Sequence, residues 1–235
     1  MELNEHRKTR ERPGRRRHVL RFGLLAAASL TALGAVTGAA QAIGFSQSPV
    51  PGVGVATDST FTLANPGHRV RFDDSFTVQQ YGALFAASAH NQATAESAYC
   101  AADAPCRSVS LSFQIVTMAG SDIHLNAVNL SHASNVHCDG CQTLAGAYQF
   151  VVSTPRPFTL SAAAERQLAA IHRSLNALST STAPTAVVQQ QVDSLAAQVT
   201  AILQAAAATA PKGPAVDGLA QLVPQVTVHR MFEHN

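Results

Sequence analysis

From Arg107 to Met118 apolar and polar residues alternate: Val109, Leu111, Phe113 and Ile115 share one face, and Ser108, Ser110, Ser112 and Gln114 the other. That period of two predicts a half-buried β-strand. Leu144, Gly146, Tyr148 and Phe150 repeat the pattern. After Pro155 and Pro157 the period lengthens. Leu160, Ala164, Leu168, Ile171, Leu175 and Leu178 recur at spacings of four and three, which predicts an amphipathic helix with Ser161 as its cap. Thr180–Pro184 breaks it, and Val188, Val192, Leu195, Val199, Ile202 and Ala206 form a second stripe. Two helices on so short a loop are expected to pack as an antiparallel hairpin.

The two alternating stretches belong to a duplicated unit. At an offset of 35 residues, Cys106, Phe113, Gln114 and Val116 fall on Cys141, Tyr148, Gln149 and Val151. At an offset of 38, Ala89, Asn91, Ala95 and Cys100 fall on Ala127, Asn129, Ala133 and Cys138. The offset changes inside a cysteine loop, Cys-x5-Cys in one copy and Cys-x2-Cys in the other, as a pair of duplicated hairpins would show. Asp139-Gly140 reads as a type I′ hairpin turn. The repeated pairs Gln114/Gln149 and Asn91/Asn129 are expected to hydrogen-bond across the pleat.

Before this unit, residues 43–88 read as an extended or β lead-in, rich in Pro, Gly, Ser and Thr as far as about Gly67. One strand is expected near Thr60–Leu63, and short strands at Arg69–Phe72 and Ser75–Val78 around an Asp73-Asp74 turn. Residues 211–235 carry little pattern and read as a loose tail. The fold expectation is therefore α+β. Residues 89–157 form a small antiparallel sheet of two cystine hairpins, and residues 158–210 a helical hairpin.

Charge changes the picture at the N-terminus. The chain has 235 residues, only 13% charged, with a net charge of +2. Residues 1–42 hold eight Lys/Arg against three Asp/Glu, and residues 43–235 hold eight against eleven, a net of −3. The mildly acidic remainder offers no basic patch for nucleic acid. Residues 1–42 read as an export signal: a basic segment through Arg21, an uncharged run from Phe22, and Ala40-Gln41-Ala42 before Ile43. Arg16 and Arg17, with Val19 and Arg21 behind them, resemble the twin-arginine export motif. The competing reading is an uncleaved anchor, since residues 22–42 are long enough to span a bilayer. Membrane contact is expected only through that anchor.

Export places the four cysteines where disulfides persist. The leading expectation is one bridge per hairpin, Cys100–Cys106 and Cys138–Cys141. Bridges between the copies are compatible with the spacing. A four-thiolate zinc site stays open, with His137 and His90 as substitute ligands, and so does a redox pair at Cys138-Asp-Gly-Cys141. The other chemistry is thin. His132, His137, His229 and His234 sit in no His-Glu-x-x-His pattern, no serine stands in Gly-x-Ser-x-Gly, and no glycine-rich phosphate loop exists. No catalytic residue and no cofactor is expected.

The cysteine unit followed by Phe-Gln-Ile-Val, Tyr-Gln-Phe-Val-Val-Ser and a Leu-rich helix resembles a family of exported proteins from high-GC Gram-positive bacteria. The resemblance covers about Ala83 to Leu178, most specifically Cys106–Val116 and Asn126–Ser153. Some relatives carry a peptide zinc metalloprotease label, for which this chain has no matching metal motif. The resemblance implies export and adds no chemistry. The expected function is a non-enzymatic structural or interaction protein of the cell envelope or extracellular space, with a protein partner there. The alternative is a zinc-binding or peptidase-accessory protein using the four cysteines.

Overall fold

The computed structural model describes residues 52–212 and 224–234. The stretch read as an export signal, with its arginines and its Ala-Gln-Ala, lies outside the described residues. Six strands run in succession: β1 (Val53–Ala64), β2 (Val70–Ala83), β3 (Ala86–Ala98), β4 (Arg107–Ala119), β5 (His124–Val136) and β6 (Gln142–Thr154). Helices α1 (Ala162–Asn176) and α2 (Thr185–Ala208) follow, and strand β7 (Gln225–His234) comes last.

The strands alternate between two sheets. One has the order β1-β3-β5 and is parallel throughout; the other has the order β2-β4-β6-β7, parallel except for β7. Each consecutive pair of strands is thus one coil, with one strand in each sheet, and three coils stack into a short β-solenoid. A parallel neighbour must be reached by a crossover, and here the facing sheet supplies it.

This overturns the expected α+β fold of antiparallel hairpins. The cysteine loops are not hairpin turns. They are corners at which the chain leaves one sheet for the other, β3 to β4 and β5 to β6. The error is visible in the offsets. Successive coils pair Ala89 with Ala127 in β3 and β5, and Phe113 with Tyr148 in β4 and β6. The duplication is therefore the register of stacked coils. Asp139-Gly140 is also not the expected turn: Gly140 alone of the pair is left-handed (φ +73), which fits a type II turn and not type I′.

The stretch read as a lead-in is the first coil. β1 is twelve residues long, and β2 continues unbroken through Asp73-Asp74 where a turn was expected. The tail is not loose throughout either, because β7 pairs antiparallel along β6 from Ser153↔Gln225 to Leu144↔His234.

The apolar alternation in β4 and β6 does mark a buried face, but on the outside of the solenoid. Phe76, Val78, Leu111, Phe113, Ile115, Leu144, Tyr148 and Phe150 form one cluster with Leu168, Ile171 and Leu175 of α1 and Val188, Val192, Val199 and Leu203 of α2. The helices pack on each other and cover this face together. Ser161 caps α1, accepting the Ala164 N–H at 3.2 Å. On α2 the fully buried stripe includes Ala196, Leu203 and Ala207; Leu195, Ile202 and Ala206 are only partly buried. Each large side chain sealed here contributes roughly 1.5–3 kcal/mol.

The polar face of β4 turns inward, between the sheets, so the strand is buried on both faces. Ser108, Ser110, Ser112 and Gln114 are all 0% exposed. The interior is narrow because its other wall is alanine-rich: Ala56, Ala87, Ala89, Ala93 and Ala95 are all buried. Small side chains there leave room for hydroxyls and amides to meet across the sheets, and each buried one needs a partner.

Candidate functional site

Two places within the coils gather chemistry, the cysteine corner and a polar row through the middle of the interior, and a third lies where the C-terminal strand meets α2. The corner is built twice, in stacked coils. Tyr99 (φ 59) and His137 (φ 47) hold left-handed backbone immediately before Cys100 and Cys138, and their rings stack at 5.6 Å. That conformation is rare for non-glycine residues, so its recurrence marks one turn used twice. Cys106 and Cys141 stand just before the paired first residues of β4 and β6, Arg107↔Gln142. The corner closes two cystines, Cys100–Cys106 and Cys138–Cys141, with Cα separations of 5.8 and 5.7 Å. These are the local bridges expected from the sequence. The loops are short, so each contributes about 2 kcal/mol through the unfolded chain. All four cysteines are buried and pack with Ala64.

Of the histidines offered as substitute ligands, His137 adjoins the corner and His90 lies away from it, and neither belongs to the sulfur cluster. His137 stacks on Tyr99, and His90 points outward from the three-stranded sheet, its carbonyl accepting from Gln114 Nε2 at 3.0 Å. His132 Nδ1 lies 3.4 Å from Glu233 Oε2, an exposed pair of small worth. The carbonyl of His229 in β7 accepts from Asn129 Nδ2 at 3.0 Å.

The polar row runs across the coils. Asp58, Asn91 and Asn129 are register partners in β1, β3 and β5. Asn91 Nδ2 donates to Asn129 Oδ1 at 2.8 Å and to the Tyr148 carbonyl at 3.0 Å, which fixes its oxygen toward Ser112. Ser112 Oγ then lies 2.5 Å from Asn91 Oδ1 and 2.9 Å from Asp58 Oδ2, while Ser75 Oγ donates to Asp58 Oδ1 at 2.5 Å. Beside this row Ser110 meets Thr60 and Ser108 meets Thr62, each at 2.7 Å. Ser112 has one proton for two acceptor contacts, so protonation of Asp58 would let it donate to Ser112. Burial, the largest influence on Asp58, acts in that direction and raises its pKa above 3.8 against the lowering hydrogen bonds of Ser75 and Ser112. The bonds of Ser75, Asn91 and Ser112 thus order the interior between the sheets. Sequence reasoning found Asn91 and Asn129 but missed Asp58, because the first coil carries no cysteine to announce it. Ser75-Phe76-Thr77-Val78 set against Ser112-Phe113-Gln114-Ile115 was the available signal.

A third cluster ties the C-terminal strand down. Tyr148 Oη donates to Asp193 Oδ1 of α2 at 2.7 Å, and Arg230 of β7 meets the same oxygen at 2.8 Å. Burial above all, and then Asp193, push the Tyr148 hydroxyl far above its ordinary pKa, so it acts as a fixed donor.

The outer face of the three-stranded sheet has no element packed on it among the described residues. Its side chains include Val55, Phe61, Leu63 and Leu130, which are 38–58% exposed, interleaved with Thr57, Ser59, His90, Gln92 and Thr94. No helix among the described residues is long and apolar enough to cross a membrane. No family model, curated protein or solved structure matches the chain.

Proposed function

We propose that this chain is an exported, non-enzymatic structural or interaction protein of the cell envelope or extracellular space. Its contact surface is the outer face of the three-stranded sheet, and its partner is a protein of that compartment. The observation that carries the reading is this face. This sheet flank bears Phe61, Leu63, Val55 and Leu130, and aromatic and aliphatic groups set among mostly uncharged polar ones, with Glu96 beside Leu63 as the charged exception, are the composition of a protein contact. Two buried cystines support an oxidising compartment, as does the basic leader ending in Ala-Gln-Ala. A mature chain beginning at Ile43 follows.

The test is fractionation of the producing cells, with intact-mass analysis of each fraction. The expected product lacks residues 1–42, carries two disulfides and is held in the envelope or recovered as a complex from the medium. Phe61→Glu with Leu130→Glu should release it as a monomer while leaving its melting temperature within a few degrees. A chain retained in the cytosol, or a double variant that partitions as the parent does, would sink the reading.

A further inference from the structure

The two cystines are not two separate features. Although they close different corners, the Sγ atoms of Cys100, Cys106, Cys138 and Cys141 all lie within 4.8 Å of one another in one buried cluster. Stacking of the coils brings them together, and the backbone that holds them is pinned without any S–S bond. Tyr99 N–H donates to the Val136 carbonyl at 2.9 Å, Arg107 N–H to Arg69 at 2.7 Å, and Gln142 N–H to Cys106 at 2.9 Å. The stacked left-handed residues Tyr99 and His137 fix the entry to both corners.

We propose that the reduced chain binds one Zn²⁺ on these four thiolates, so that metal centre and cystine pair are two redox states of the same corner. This goes beyond the contact function above and does not depend on it. The geometry is close. A tetrahedral zinc–thiolate centre, with Zn–S near 2.3 Å, sets its sulfurs about 3.8 Å apart. Sulfurs already within 4.8 Å reach that arrangement by side-chain rotation, with the backbone left in its ladder. The ligand set is all sulfur, which selects a soft or borderline ion over calcium or magnesium. One outer donor is in place: Cys106 N–H points at Cys141 Sγ at 3.1 Å, a contact that stabilises a thiolate as it does a cystine sulfur.

The chemistry balances with an external dithiol as reductant. Each cystine takes two electrons and two protons to give two thiols, and the dithiol becomes its own disulfide. Zn²⁺ then displaces four protons from the four thiols. In reverse, a disulfide oxidant removes two electrons per pair, both S–S bonds re-form and the ion leaves.

The experiment uses the full chain, reduced anaerobically with a phosphine that does not bind metal, and titrated with Co²⁺ and then Zn²⁺. One Co²⁺ per chain with the intense red-region bands of a tetrahedral tetrathiolate centre, displaced by one Zn²⁺, is the expected result. Adding a disulfide oxidant should release that ion and regenerate two disulfides. Cys100→Ser with Cys106→Ser, and separately Cys138→Ser with Cys141→Ser, should each weaken zinc binding by about a thousand-fold or more. Circular dichroism of the reduced metal-free variants shows whether the solenoid is still formed, and Cys141→Ala alone supplies a milder variant that should keep a cobalt spectrum of three-sulfur type. No metal uptake by a reduced chain that retains its β signal overturns the proposal. So does uptake with fewer than four sulfurs in the parent, or equal affinity in either double variant.

Discussion

The side-chain amide of Gln149 in β6 donates to Gln114 Oε1 in β4 at 2.9 Å, from one coil to the next. The same nitrogen lies 3.2 Å from the Ala89 and Val128 carbonyls of the facing sheet, and Gln114 Nε2 reaches the His90 carbonyl at 3.0 Å. Two long polar side chains, both 0% exposed, thus bond along the coil stack and across it at once.

Replacing one member leaves the other's group buried without its partner. Gln149→Leu strands Gln114 Oε1 and should cost about 1–3 kcal/mol in urea unfolding. Gln114→Leu with Gln149→Leu should cost less than the two single losses together, with a coupling of at least about 0.5 kcal/mol. Additive losses would show that the two amides act independently.

Asp58 gives the solenoid a pH dependence of defined sign. Its pKa is raised in the folded chain by burial, so the folded state holds a proton that the unfolded state has already released above pH 3.8. The stability this contributes is full below pH 3.8 and is lost as pH rises through the folded pKa. Asn at this position would continue the row begun by Asn91 and Asn129 and offer Ser112 a permanent donor. Asp58→Asn should therefore melt higher than the parent at pH 7, and the advantage should shrink toward pH 4. Asp73 is shifted upward as well, by burial and then by Asp74, and stays in both proteins, so the difference between the two melting curves isolates Asp58. A difference that does not change with pH would show that Asp58 is ionised throughout.

How far the fold was legible follows from what periodicity measures. Alternation in β4 told that Val109, Leu111, Phe113 and Ile115 share a buried face, and the four-three spacing placed the stripe of α1. Neither says which partner strand lies alongside, and a period of two is the same in parallel and antiparallel sheets. The serine face looked solvated because buried hydroxyls are uncommon. Its partners are the opposing Thr60, Thr62 and Asp58, about fifty residues away in sequence, together with Asn91. The duplication was read correctly as residues and wrongly as topology, since an offset of 35 to 38 residues is too long for one hairpin and is the length of a two-strand coil. The cysteine pairing was legible because it is local. The convergence of both pairs on one spot, which the four-thiolate alternative required, could not be decided from spacing, because it depends on coil stacking. Gly146 stands among the apolar-face positions, and its reason lies in the tail that carried little pattern.

That glycine carries the sharpest stability test. Gly146 pairs with Leu111 on one side and with Phe232 of β7 on the other. A Cβ added there would lie 2.7 Å from Phe232 Cε1 and 3.1 Å from Leu111 Cδ2, so the Phe232 ring occupies the place of the missing side chain. The ring also meets Tyr148 edge-on at 5.2 Å and holds the end of β7 over the sheet edge. Gly146→Ala should displace the ring and cost about 1–3 kcal/mol, as overpacking does. Phe232→Ala removes the ring and should cost a similar amount, about 1–3 kcal/mol, from lost burial. With the ring gone, alanine at 146 keeps only the 3.1 Å approach to Leu111 Cδ2, the end of a side chain that can shift, and it restricts the unfolded chain, so adding Gly146→Ala to Phe232→Ala should cost clearly less than it does in the parent. Thermal melts of the four proteins read this directly. If Gly146→Ala costs as much in the Phe232→Ala background as in the parent, the ring is not what reserves that space.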